Sequence, residues 1–152
     1  MRKTKFAALL LVPIVVIVAV NCGGSGGNNG AHIQPPQAVL KLATTAQGPP
    51  IAAIDVTVQL PAGAMVRNAA PSGVAVAANP LIAVNTNVPG TVRIAMITVI
   101  GFGTGEFFTL NCDIASGSTP SAADFLIVHF RASDSNGRAI DGLAPVISVE
   151  MH

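Results

Sequence analysis

A chain of 152 residues, 51% hydrophobic and 10% charged, has room for one core of ordinary domain size once an N-terminal targeting segment is set aside. Its 15 Gly and 11 Pro cut the Val, Ile and Ala content into short runs, an all-β composition with no helix convincingly signalled after the leader. The formal charge of +1 hides an acidic mature part: of eight Lys and Arg, three stand in the first five residues, leaving five scattered bases against seven acids. That distribution offers no footprint for a nucleic-acid backbone. The absence of Trp and Tyr removes the stacking platforms that sugar-binding surfaces commonly use.

Arg2, Lys3 and Lys5 followed by the apolar residues 6–20 form an export signal, too short and too interrupted by Pro13 for a stable membrane-spanning helix. We read residues 1–21 as a cleaved signal peptide. Cys22, directly after the apolar stretch and before Gly23-Gly-Ser-Gly-Gly27, resembles the acylated cysteine of a bacterial lipoprotein signal. Ala19 and Val20 fit that pattern, whereas Asn21 departs from the usual Gly, Ala or Ser. The alternative is an ordinary secretory signal cut nearby, with Cys22 free or paired to Cys112. Residues 22–36 are expected to form a Gly/Asn-rich tether.

The globular domain is expected over residues 37–152. Residues 38–43 alternate, with Ala38, Leu40 and Leu42 on one face, and should form the first strand. After the turn Gln47-Gly-Pro-Pro50, the residues Ile54, Val56, Val58 and Leu60 point inward from the clearest amphipathic strand of the chain, which Pro61-Ala-Gly63 ends. Met65-Val66, residues 73–77 and residues 81–85 read as short edge strands separated by Pro71 and Asn79-Pro80. Residues 91–100 place Val92, Ile94 and Met96 inward, and the run Ile97-Thr-Val-Ile100 is apolar enough to be covered on both faces.

Gly101-Phe-Gly-Thr-Gly105 is a turn opening into a strand with Phe108, Leu110, Cys112 and Ile114 on the core face. Phe107 falls on the opposite face and Phe102 at the turn tip, so these two are the candidate partner-binding residues if exposed, the alternative being that another sheet edge or loop covers them. Residues 124–132 form another strand whose inward face is ambiguous, with Leu126, Val128, Phe130 and Ala132 the more apolar set. Asp134-Ser-Asn-Gly137 is a tight turn, and residues 143–151 close the domain with Ile147, Val149 and Met151 inward. Regularly spaced strands with turn residues between them imply a two-sheet antiparallel β-sandwich.

Four stretches then resemble the cohesin-like domains, relatives of carbohydrate-binding modules with a jelly-roll β-sandwich fold. They are Ile54-Asp-Val-Thr-Val-Gln-Leu-Pro-Ala-Gly63, the unit from Gly103 to Ile114, Ala123-Asp-Phe-Leu-Ile-Val-His-Phe130, and Asp134-Ser-Asn-Gly-Arg-Ala-Ile140 with the closing strand. The resemblance implies a sandwich that binds a partner module, the dockerin, or, among relatives, polysaccharide. No repeated calcium loop of dockerin type is present, and no binding residues transfer by motif.

Chemistry has little material. Cys112 sits among core residues, and His32, His129 and His152 lack ligand spacing, so no metal is expected. Asp134 with Asn136 and Asp141 lacks the terminal glutamate of a calcium loop, Pro145 standing in that place. The glycines of residues 101–105 precede neither a Lys-Ser/Thr pair nor a helix, so they cradle no phosphate. The seven acids are spread singly and no serine sits in a nucleophile elbow, so no enzyme activity and no cofactor are expected.

The reading that results is a non-catalytic exported protein, held at the outer membrane or cell surface by a lipid on Cys22. Its sandwich would mediate contact with an unknown protein partner or assembly at the cell envelope. The alternative is a carbohydrate-binding or adhesive module.

Overall fold

The computed structural model describes residues 35–152; the signal segment, Cys22, His32 and nearly all of the tether lie outside the described residues. Eight strands follow in order, β1 (Gln37–Thr45), β2 (Ile51–Gln59), β3 (Ala64–Pro71), β4 (Leu81–Asn85), β5 (Thr91–Phe102), β6 (Gly105–Ile114), β7 (Leu126–Ser133) and β8 (Ala144–Met151). They form two four-stranded sheets, sheet A in the order β3-β6-β1-β8 and sheet B in the order β4-β5-β2-β7. Every pairing is antiparallel. Only β4 and β5 are both consecutive in sequence and paired, so the chain crosses between sheets at most of its turns.

Period-two alternation builds the core. Ala38, Leu40 and Leu42 from β1 and Leu110, Cys112 and Ile114 from β6 face Ile54, Val56 and Val58 from β2 and Val92, Ile94 and Met96 from β5, all buried in one cluster. The expected first two strands and their inward faces are found. β3 and β4 lie at sheet edges, as the prolines beside them imply, but β3 runs eight residues where only a short strand at Met65-Val66 was expected.

One expected strand is instead a 3-10 helix. Gly73–Ala78 winds between Ser72 and Asn79, whose left-handed backbone (φ 43°) ends it. In a 3-10 helix residues three apart share a face, so Ala75 and Ala78 both enter the core while Val74 and Val76 stay exposed. Gly73 is required here, with φ +52° and a Cβ position that would lie 2.3 Å from the Glu106 carbonyl oxygen.

Three of the four register shifts explain where simple alternation fails. In β6, Leu42 pairs with Phe108 but Ala43 pairs with Glu106, so Phe107 is an extra residue at a bulge. In β7, Thr57 pairs with His129 but Val58 with Ile127, leaving Val128 unpaired and switching the inward set. Phe125 and Ile127 turn inward before that bulge, and Phe130 and Ala132 after it, which is why the face of this strand reads as ambiguous. In β5, Ile51 pairs with Phe102 but Ala53 with Ile97, so a two-residue step on β2 spans five on β5.

Candidate functional site

The two sheets present different outer faces to solvent. On sheet A the face carries two cross-strand ion pairs beside the exposed Met65 and the half-exposed Val146. Lys41 on β1 donates to Glu150 on β8 at 2.8 Å, and this hydrogen bond, with the charge behind it, holds the Glu150 carboxyl below its ordinary range. Arg67 on β3 donates to Gln37 at 3.0 Å. Its other nitrogen stands 3.5 Å from an Asp113 carboxylate oxygen, an ion pair too poorly aligned to be a hydrogen bond.

Sheet B is built differently. Residues directly opposite on neighbouring strands share a face, so ladder pairing fixes its outer rows. One row runs Leu81, Ile97, Ala53, Ser133, the next Ala83, Ala95, Asp55, Arg131, and a third Asn85, Arg93, Thr57, His129. Arg93 donates to Asp55 through both Nε, at 2.9 Å, and Nη2. That contact holds Asp55 below the usual carboxylate range, partial burial opposing it. Arg131, opposite Asp55 on the other side, has no hydrogen bond or ion pair among the described residues.

Above the first row the three extra residues of β5 lift the chain out of the ladder. Ile97, Val99 and Ile100 are 60%, 95% and 73% exposed, and Leu81 beside them is 79% exposed. The expected cover over both faces of Ile97–Ile100 is therefore absent; of these residues only Thr98 turns inward, donating to the Ala78 carbonyl at 3.0 Å. Gly101, at φ +71°, allows the return into the sheet, and any side chain there would press on Pro50.

Beneath this raised segment β2 carries only Ala52 and Ala53. The result is a furrow along β2, walled by Ile97 and Val99 on one side and by Ser133 and the turn Asp134–Gly137 on the other. Its widest part has a volume of about 520 Å³; it continues toward Asp55 and Arg131 as a cleft of about 260 Å³ and toward Pro49, Pro50 and Ile100 as one of about 310 Å³. The turn wall is stiff. Asp134 accepts hydrogen bonds from the backbone N–H of Asn136 and of Arg138, each at 2.9 Å, and Gly137 N–H donates to the Asp134 carbonyl.

The sequence-derived site residues fall elsewhere. Phe102 and Phe107, expected on the surface, are 6% and 0% exposed, and that expectation is corrected. Phe107 is the bulged residue, so the phase that would point it outward is broken at its own position. Phe102 follows Gly101 back into the ladder, where it pairs with the fully buried Ile51. Cys112 is a core residue, 1% exposed, and burial, aided by the adjacent Asp113 charge, pushes its thiol up to about 11. The residues that sequence reasoning missed are Ile97, Val99, Ile100, Leu81 and Arg131. The signal that could have found them is an apolar run longer than the ladder opposite it, next to a glycine and facing an Ala-Ala pair.

No family model and no curated protein matches the sequence. Among solved structures, the chain superposes on a non-cellulosomal cohesin from the hyperthermophilic archaeon Archaeoglobus fulgidus with a TM-score of 0.57 at 10% identity, over 71% of this chain and 75% of that one. The fold is cohesin-like. The sixth cohesin of Acetivibrio cellulolyticus scaffoldin B, solved in complex with a Cel5 dockerin mutant, is similar as well, with a TM-score of 0.54 at 18% identity over 70% of this chain and 82% of that one. In this cohesin-like sandwich the furrow occupies the end of sheet B that adjoins Pro49 and Pro50, beyond the far end of β1 from Gln37. Nine extended residues of β1 thus separate the point where the domain begins from the furrow, about 30 Å along the strand.

Proposed function

We propose that the chain is a non-catalytic, exported and lipid-anchored surface protein whose cohesin-like sandwich docks a protein partner on the outer face of sheet B. The observation that carries this reading is the cluster Leu81, Ile97, Val99 and Ile100, raised by an insertion in β5 beside a concave furrow. Four large aliphatic side chains at 60–95% exposure cost solubility unless they serve an interface. One similar structure, the scaffoldin B cohesin, holds a dockerin, and a protein partner is the reading we carry to this chain.

The test uses the full chain as bait, with chemical cross-linking in the native envelope, beside the same chain carrying Ile97→Lys and Val99→Lys. A partner captured by the native chain should be lost by at least tenfold from the variant, whose thermal midpoint stays unchanged. Capture indifferent to both lysines would sink the docking face, and specific binding on a glycan array would replace it with a carbohydrate-binding role. Mass spectrometry of the mature N-terminus tests the anchor separately: an unmodified terminus beyond Cys22 removes it.

A further inference from the structure

We infer that the furrow selects a partner segment carrying an aliphatic or aromatic side chain and, about 7 Å along the same segment, a carboxylate. The inference rests on reading sheet B as the docking face and adds the chemistry of what docks. The apolar end is set by Ala52 and Ala53 as floor and by Ile97 and Val99 as wall, a recess with no charge in its base. Two residues down β7 from Ser133, the cleft is bordered by Arg131, which stands opposite Asp55.

Charge decides what can sit there. Asp55 is engaged by two N–H donors of Arg93, and Arg131 acts on it through charge alone, without a hydrogen bond or ion-pair contact. His129 lies one row further on the same face. The middle of the outer face therefore carries two guanidinium groups and one carboxylate, with Arg131 the unpaired cation among the described residues. A planar guanidinium at the lip of a cleft pairs with carboxylate in a two-bond geometry. At the opposite end stands the Asp134 carboxylate, one oxygen of which accepts from two backbone N–H groups. An acid placed there would be repelled, so the charges also orient the segment, apolar group toward Val99 and carboxylate toward Arg131.

The experiment selects a random-sequence peptide display library on the immobilised full chain and, in parallel, on Arg131→Glu, Arg131→Gln and Val99→Ser. Peptides enriched on the native chain should pair Asp or Glu with Leu, Ile, Met or Phe at short spacing. A synthesised winner should bind Arg131→Glu and Val99→Ser about tenfold or more weakly, with its affinity for the native chain falling as salt rises. Arg131→Gln gives the same reading should the reversal disturb folding. Enrichment without acidic preference, binding unaffected at position 131, or no enrichment at all would overturn the inference. If Ile97 and Val99 govern capture of the native partner while Arg131 does not, the docking face survives and only its charge chemistry is lost.

Discussion

The outer face of sheet A and the outer face of sheet B have the same strand number and the same alternation, yet one is closed chemically and the other is not. On sheet A Lys41 meets Glu150 and Arg67 meets Asp113, so a visiting protein would have to displace those partners. On sheet B the single ion pair Arg93–Asp55 leaves Arg131 over, and aliphatic side chains stand above a floor of alanine. The lesson is that a docking surface can come from register and not from composition. Three extra residues in β5 raise Val99 and Ile100, whereas the same apolar residues kept in register would point alternately into the core.

The sharpest way to break this comparison is to truncate one aromatic side chain inside the sandwich and one aliphatic outside it. Phe107→Ala empties a fully buried site at the β6 bulge and should cost about 3–5 kcal/mol in urea unfolding. Val99→Ser, at a position 95% exposed, should stay within about 0.5 kcal/mol of the native chain while partner capture collapses. Native-like stability for Phe107→Ala would show that the bulge does not bury that ring.

The same pair shows what was legible in the sequence. Two-sheet architecture, the inward sets of β1, β2 and β6 and the edge positions of β3 and β4 all follow from alternation and prolines, because the ladder stretches that carry those sets lie clear of the bulges and keep their phase. Phe107 and Val128 were not legible, since a bulge is a property of two strands together, and the Ile97–Ile100 run showed only as an apolar stretch beside a glycine whose partner strand is set by the fold. Residues 73–77 mislead for another reason. Their alternating valines mimic a strand, but Ala75 and Ala78 are the small side chains three apart that let a 3-10 turn lie against β6. Arg131 was visible as one scattered base; only its pairing opposite an occupied Asp55 gives it a role.

A second prediction probes the core side of the comparison by pH. Cys112 has its thiol raised from 9.0 to about 11 in the fold, so the folded state holds the proton more tightly than the unfolded chain does. The stabilisation is fully present below pH 9.0 and is lost as pH rises toward 11, an effect of about 3 kcal/mol. Urea midpoints measured across that window should fall for the native chain and stay flatter for Cys112→Ala. Parallel slopes in the two proteins would mean that other groups carry the alkaline loss. In the native fold at neutral pH the thiol should also resist alkylation until the chain unfolds.

The smallest effect separates the two faces most directly. Glu150 and Asp55 both have carboxyls held below their ordinary values of 4.5 and 3.8 by a basic partner, Lys41 and Arg93 respectively. Each contributes stability that is present above the ordinary value and fades only as pH falls through the lowered one, so neither gives a pH dependence near neutrality. Both pairs are exposed enough for water and salt to screen them, and Glu150→Gln or Asp55→Asn should shift stability little. Binding should distinguish them. Asp55→Asn removes the one carboxylate between Arg93 and Arg131, frees a second guanidinium one row beyond the cleft and should tighten binding of an acidic peptide by a few-fold at low salt. Glu150→Gln lies on the other sheet and should leave that affinity unchanged. Weaker binding by Asp55→Asn would mean that Arg93 must be held in place by Asp55 for the furrow to keep its shape, moving the decisive interaction from charge to geometry.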